Sequence, residues 1–176
     1  GAVVRGVDDA LVVADLPFLG YGVDESETVE NAGRMLKEEG ADAVKIESGR
    51  HTVDLTARLT DLGIPVMAHL GLTPQHVKQL GGYSRQGVEQ GRADEIRDLA
   101  RAHEEAGAFS LVLEHVPSNL AAAVAADLSV PVIGIGAGSE TDGQVLVLTD
   151  VLGLSDRTPA LAEQLGDVAG QRERAV

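Results

Sequence analysis

Cysteine is absent from the chain, so no disulfide framework, thiolate nucleophile or thiolate metal site is available to it. That absence predicts a cytoplasmic compartment. Lysine is scarce as well: Lys37, Lys45 and Lys78 stand against 28 Asp and Glu, and the formal net charge is -14. Such an excess of acid repels phosphates and anionic lipid, which excludes nucleic acid and membrane surfaces as expected partners. It suits instead a solvated surface working in concentrated salt, where screening shortens self-repulsion. No apolar run approaches the roughly 20 residues needed to cross a bilayer, and the N-terminus lacks the basic-then-apolar layout of a secretory signal.

What the chain does contain is one pattern used repeatedly. With 176 residues, 44% of them hydrophobic, it is long enough for one sizeable core, and one domain over 1–176 is expected. ESETVENAGRMLKEEG places small or apolar residues at Val29, Ala32, Gly33 and Leu36, acid at its start and Gly40 at its end, the pattern of an amphipathic helix. The strand ADAVKIE follows. The same order returns in HTVDLTARLTDLG before IPVMAHL, in ADEIRDLARAHEEAG before AFSLVLE, and more weakly in SNLAAAVAADLSV before PVIGIG. Ile96, Leu99, Ala100 and His103 mark one face of the third helix. Alternating helices and near-continuous apolar strands predict a parallel sheet covered on both faces.

Strands are expected near 11–15, 43–47, 65–69, 111–114, 131–135 and, as QVLVL, 144–148. An eight-stranded barrel usually occupies about 250 residues. The expectation is therefore an α/β fold, either an open sheet or a barrel lacking its first two β/α units, and the abrupt lead of GAVVRGVDDA into a strand favours the second. A final helix is expected in the acidic, arginine-bearing tail after Thr158.

Four of these strands run out into ionisable residues: Asp15, the pair Lys45 and Glu47, His69, and Glu114. Strand ends on one face of a β/α barrel converge on a common pocket, so polar residues there point to chemistry. Lys45 and Glu47 are two apart in a strand and face the same side, and buried charges must pair with each other, a metal or a ligand. A carboxylate at Asp15 could equally cap the next loop. Hard divalent cations take oxygen ligands, and Mg²⁺ fits Asp15 and Glu47 better than His69. The five histidines show no structural zinc spacing, and His103, in a helix, is set aside with His51 and His76. Glu114 ends an apolar strand, surroundings that suit a general base, though a satisfied core acid would look the same. GIGAG at 134–138 could bind phosphate through backbone N–H groups or merely permit close packing, and GGY at 81–83 reads as a flexible loop.

The strings ADLPF at 14–18, VKIE at 44–47, AHLGLTPQ at 68–75, GGY followed by QG at 81–87, LVLEHVP at 111–117 and SVPVIGIGAGSETDGQVLVLTDVLGL at 129–154 closely resemble the ketopantoate hydroxymethyltransferase family, in the same order from about residue 10 to 154. The resemblance implies a (β/α)₈ TIM-type barrel of the phosphoenolpyruvate/pyruvate group. It also implies transfer of a hydroxymethyl group from 5,10-methylenetetrahydrofolate to 3-methyl-2-oxobutanoate, giving 2-dehydropantoate through a Mg²⁺-stabilised enolate. Asp15 would then bind Mg²⁺ and substrate, Lys45 the keto acid, Glu47 the metal, and Glu114 would accept the proton. His69 would be a polar neighbour without a catalytic part. Members of the family assemble into homo-oligomers, commonly decamers.

Departures from the family pattern accompany the match. An upstream segment with an Asp-Ser pair is absent from the sequence, Ser84 and Arg85 stand where Lys commonly follows GGY, and the region after Leu154 diverges. Two other readings remain open from the sequence. One is a Schiff-base aldolase using Lys45, whose neutral amine an apolar site favours. The other is a non-catalytic remnant acting as a binding or assembly module. An incomplete barrel also predicts exposed edges and self-association.

Overall fold

In the computed structural model, which describes residues 1–154 and 158–175, six parallel strands lie side by side in chain order. They are β1 (Val13–Asp15), β2 (Ala43–Glu47), β3 (Val66–Gly71), β4 (Ser110–Glu114), β5 (Val132–Ile135) and β6 (Gly143–Gln144). The helices are α1 (Glu25–Lys37), α2 (Val53–Asp61), α3 (Val77–Leu80), α4 (Gln90–Glu105), α5 (Ser118–Asp127), α6 (Leu148–Val151) and α7 (Val168–Ala175). Each strand pairs only with its sequence neighbours, the order of a β/α barrel; a doubly wound sheet would reverse about a switch point. β1 and β6 remain edges among the described residues, so the sheet is a curled half-barrel.

The alternation of side chains along each strand divides the molecule into an outer packed layer and an inner chemical one. Val44 and Ile46 of β2 and Val66 of β3 face outward and are buried with Ala32 of α1 and Leu55 and Leu59 of α2. Ala68 and Leu70 of β3, Leu111 and Leu113 of β4 and Val132 of β5 are buried with Ile96, Leu99 and Ala100 of α4 and Leu120, Ala121 and Val124 of α5. Each such Leu or Ile contributes about 1.5–3 kcal/mol by leaving water. The intervening residues Lys45, Glu47, Met67, His69, Val112, Glu114, Ile133 and Ile135 line the inner face. Glu47, His69, Val112 and Ile133 form one register row across four strands, and Gly71, Glu114 and Ile135 form the next.

Local signals explain where the elements start and stop. Asp24 caps α1, its Oδ1 accepting the Glu27 N–H at 2.9 Å, with Glu25 and Glu27 in the first turn and Arg34 and Lys37 in the last. Two expectations need correction. Only Gly143 and Gln144 of the QVLVL run form a strand, because past the Val145 N–H, which reaches Gly134 O at 3.0 Å, the short β5 offers no further pairing. Val145, Leu146 and Val147 instead stand exposed at the open edge and lead into α6. The inner face is likewise not fully covered: Val13, Met67 and Ile133 remain half-buried along the cavity. Among the described residues no helix is long and apolar enough to cross a membrane.

Candidate active site

The inner face of the half-barrel encloses an open cavity of about 610 Å³. Val112, Ile133, Ile135 and Met67 form an apolar wall, and Asp15, Lys45, Glu47, His69 and Glu114 bring their polar groups to the same space. All the strand-end residues singled out from the sequence therefore meet at one cavity. The structure goes further and says which of them touch.

A chain of contacts crosses β1 to β4. Lys45 Nζ lies 2.9 Å from Asp15 Oδ2. On its other side the same ammonium is 3.5 Å from His69 Nδ1. His69 Nε2 in turn lies 3.2 Å from Glu114 Oε2. Burial deepens along most of this path, the side chains of Asp15, Lys45 and His69 being 51%, 20% and 3% exposed and that of Glu114 16%. An ion pair as open as Asp15–Lys45 contributes at most about 1 kcal/mol to folding, so stability alone gives little reason to place a lysine there.

Glu47 belongs to a separate network. Its carboxylate is 3% exposed and accepts the Gln75 backbone N–H at 2.9 and 3.1 Å and His76 Nδ1 at 2.9 Å. The Gln75 side chain donates to Leu16 O at 2.9 Å and accepts from Tyr21 Oη at 3.3 Å, while Tyr21 Oη accepts the Glu47 N–H at 3.1 Å. Burial, and then the Glu47 carboxylate, pushes the Tyr21 phenol up, so it keeps its proton for Gln75. Lys45 and Glu47 thus share a face without bonding to each other. Glu47 ties the turn at Pro74–His76, which opens α3, to the loop after β1.

Sequence reasoning placed His69 at the pocket as a polar neighbour without a catalytic part and set His76 aside; in the structure His69 lies between Lys45 and Glu114, and His76 Nδ1 meets the buried Glu47 carboxylate. The signal for His69 was present, since it alternates with Met67 and so had to face inward. Nothing in spacing announced His76, Gln75 or Tyr21, which reach the site from loops. His103 is fully buried and structural: its Nε2–H donates to Gly49 O at 3.2 Å and its Nδ1 sits 2.9 Å from Thr56 Oγ1. In the GIGAG loop, a side chain at Gly138 would meet Ser118 Cβ at 2.5 Å, so that glycine serves the close approach of α5.

Among the described residues no group of three or more His, Asp or Glu side chains is arranged to hold a metal ion. Two carboxylates on one cavity are nonetheless hard oxygen donors of the kind Mg²⁺ takes singly or in pairs, completing its shell with water and substrate. Asp15, half exposed, fits that part directly; Glu47 fits it through a water or by releasing His76.

Comparison with known proteins bears on this arrangement. The 3-methyl-2-oxobutanoate hydroxymethyltransferase of Halobacterium salinarum is 65% identical over 176 residues, covering 100% of this chain and 64% of that protein. The enzyme of the same name from Haloarcula marismortui is also 65% identical, covering 100% and 65%, and that from Geobacter metallireducens is 50% identical over 167 residues, covering 94% and 62%. The chain thus spans a little under two thirds of the length of the curated relatives it matches. A solved structure of a protein provisionally described as a lyase/mutase, from Burkholderia cenocepacia J2315, superposes with a TM-score of 0.51 at 20% identity over 93% of this chain and 57% of that one, a likeness of fold alone. The family model described as ketopantoate hydroxymethyltransferase matches residues 1–176, so the likeness extends past Leu154, beyond the reach of the motifs. The chain belongs to the ketopantoate hydroxymethyltransferase family.

Proposed function

We propose that this cavity serves the transfer of a hydroxymethyl group from 5,10-methylenetetrahydrofolate to 3-methyl-2-oxobutanoate, giving 2-dehydropantoate. The observation that carries the reading is the position of Glu114, a carboxylate 16% exposed that lines the same cavity as Lys45. The keto acid is a small anion with a branched apolar tail. Lys45 supplies the positive charge that binds its carboxylate end, and Val112, Ile133 and Ile135 supply a surface for the tail. Glu114 then takes the proton from C3: the C–H bond breaks, its electron pair moves toward the ketone oxygen, and an O–H bond forms on Glu114. Water adds to the one-carbon unit of the folate and its two C–N bonds break, giving formaldehyde and tetrahydrofolate; the carbon nucleophile then forms the new C–C bond to the formaldehyde carbon, and the alkoxide left on its oxygen takes up a proton as the hydroxyl. Asp15 and Glu47 would hold Mg²⁺, which when bound would supply a Lewis acid to polarise the ketone.

A Schiff base on Lys45 fits the geometry less well. A nucleophilic amine needs its lone pair free, whereas the Lys45 nitrogen is held as a donor to Asp15 and His69.

The test is exchange of the C3 hydrogen of 3-methyl-2-oxobutanoate in D₂O, followed by NMR with and without EDTA, and product formation when the folate is added. Exchange that falls at least about 10²-fold in Glu114→Gln supports the reading. Exchange unchanged in that variant sinks Glu114 as the base, and unchanged exchange in EDTA removes the metal from the scheme.

A further inference from the structure

His69 is held between two charged groups with almost no access to water, its side chain 3% exposed. The ammonium of Lys45 carries hydrogens and no lone pair, so the ring nitrogen that faces it at 3.5 Å must be an acceptor. A neutral imidazole with an unprotonated Nδ1 carries its hydrogen on Nε2. That atom is the one lying 3.2 Å from Glu114 Oε2. The approach is close but off the line of a hydrogen bond, and His69 Nε2 is a buried side-chain polar atom without a partner in the structure. Orphaning such an N–H is unfavourable, and packing gives no reason for it.

The other charged groups around the ring do not compete for this hydrogen. Glu47, the register partner of His69 on β2, turns its carboxylate to Gln75 and His76. Asp15 on β1 pairs with the Lys45 ammonium at 2.9 Å. On β4 the opposite residue is the apolar Val112, with Glu114 the next inward residue.

We propose that His69 is the positioning residue of the base: its Nε2–H engages Glu114 Oε2, and Oε1 is thereby left as the atom that takes the C3 proton. Lys45 fixes the tautomer that makes this possible, so one cation both binds the keto acid and orients the base through a single ring. The inference rests on the reading of Glu114 as proton acceptor, but the tautomer and its cause can be tested without any turnover.

The first experiment is side-chain ¹H–¹⁵N NMR of the ¹⁵N-labelled chain at neutral pH. A His69 ring with its proton on Nε2 is expected in the wild type, and Lys45→Met should admit the other tautomer. A proton on Nδ1 in the wild type overturns the proposal whatever the activity. The second experiment is C3–H exchange kinetics in His69→Leu and His69→Gln, the glutamine retaining an N–H at the reach of Nε2. The leucine variant should lose about 10²-fold in kcat with little change in KM, and the glutamine variant should recover most of it. Equal losses in both variants, or a loss confined to KM, mean a merely structural ring and overturn the proposal. An Nε2 proton in a chain that shows no exchange at all would uphold the His69–Glu114 contact and defeat the transferase reading instead.

Discussion

The ammonium of Lys45 sits 2.9 Å from Asp15 Oδ2 and turns its other side to His69 Nδ1, so one cation joins β1 to β3 across β2. The pair is too exposed to contribute much to the fold, and the proposed function gives the lysine its use in binding the keto acid. Lys45→Met should raise the KM for the keto acid at least about 10-fold while shifting unfolding free energy by no more than about 1 kcal/mol. Initial-rate kinetics and urea titration of the same preparation check the two halves together. A large stability loss would show the lysine to be structural.

Gln75 is the joint between the loops after β1 and β3. Removing its side chain leaves Leu16 O and Tyr21 Oη without their partner while the backbone N–H to Glu47 stays. Gln75→Ala should cost about 1–2 kcal/mol and speed amide exchange in residues 16–22. Exchange unchanged there would mean that other contacts hold this loop.

Gly71 occupies a place where no side chain fits. Its φ is +96°, and an added Cβ would lie 2.3 Å from Glu114 O and 2.8 Å from Val116 Cγ1. Gly71→Ala should lose about 2–4 kcal/mol from strain and forced separation of β3 and β4. It should also lower exchange activity, since the backbone it pushes belongs to Glu114. Denaturant midpoints and the exchange rate would have to fall together; an alanine variant as stable as the parent refutes the packing described.

His103 makes stability depend on pH. Burial lowers its pKa from the ordinary 6.5, partly opposed by the hydrogen bond to Gly49 O, and nearby His51 lowers it further. The folded state therefore prefers the neutral ring, and the unfolded chain binds more protons as pH falls below 6.5. The contribution is whole above that pH and is lost as pH falls toward the lowered folded value. His103→Gln should be less stable than the wild type at pH 8, with the gap narrowing toward pH 5. A constant gap between the two melting curves would show that His103 does not titrate in this way.

Among the described residues β1 and β6 leave two edges open, and Val145, Leu146, Val147 and Leu148 stand exposed beside the β6 edge. Sedimentation velocity on this chain should show association growing with concentration. A single sharp monomer boundary over a wide concentration range would contradict that.

The half-barrel was largely legible in the sequence. AVKIE is β2 to the residue, β3, β4 and β5 differ from the expected strands by no more than two residues at an end, and Ile96, Leu99, Ala100 and His103 are the buried face of α4. These are local patterns, period two against period near four. The convergence of Asp15, Lys45, Glu47, His69 and Glu114 was legible for the same reason, since alternation alone says which side a strand residue faces. Pairing was not. Glu47 meets Gln75 and His76 across 28 and 29 residues, and Lys45 chooses Asp15 over Glu47 because register sets it level with the former. The stagger of parallel strands is a property of the whole sheet, and no window of sequence contains it. The sixth strand failed for a complementary reason: apolar β-branched residues imply a strand only if a neighbour is there to pair.

The scarcity of aromatic residues has a practical consequence at Tyr21. The chain has no tryptophan and two tyrosines, of which Tyr83 is 69% exposed and Tyr21 8%. A water-borne quencher extinguishes the emission of the first and spares that of the second. What survives comes from a single phenol whose hydroxyl touches the Glu47 N–H and the Gln75 side chain. Glu47 and Gln75 both line the cavity, so this lamp sits one contact behind its wall, and filling the site should be visible in the untagged, unlabelled protein.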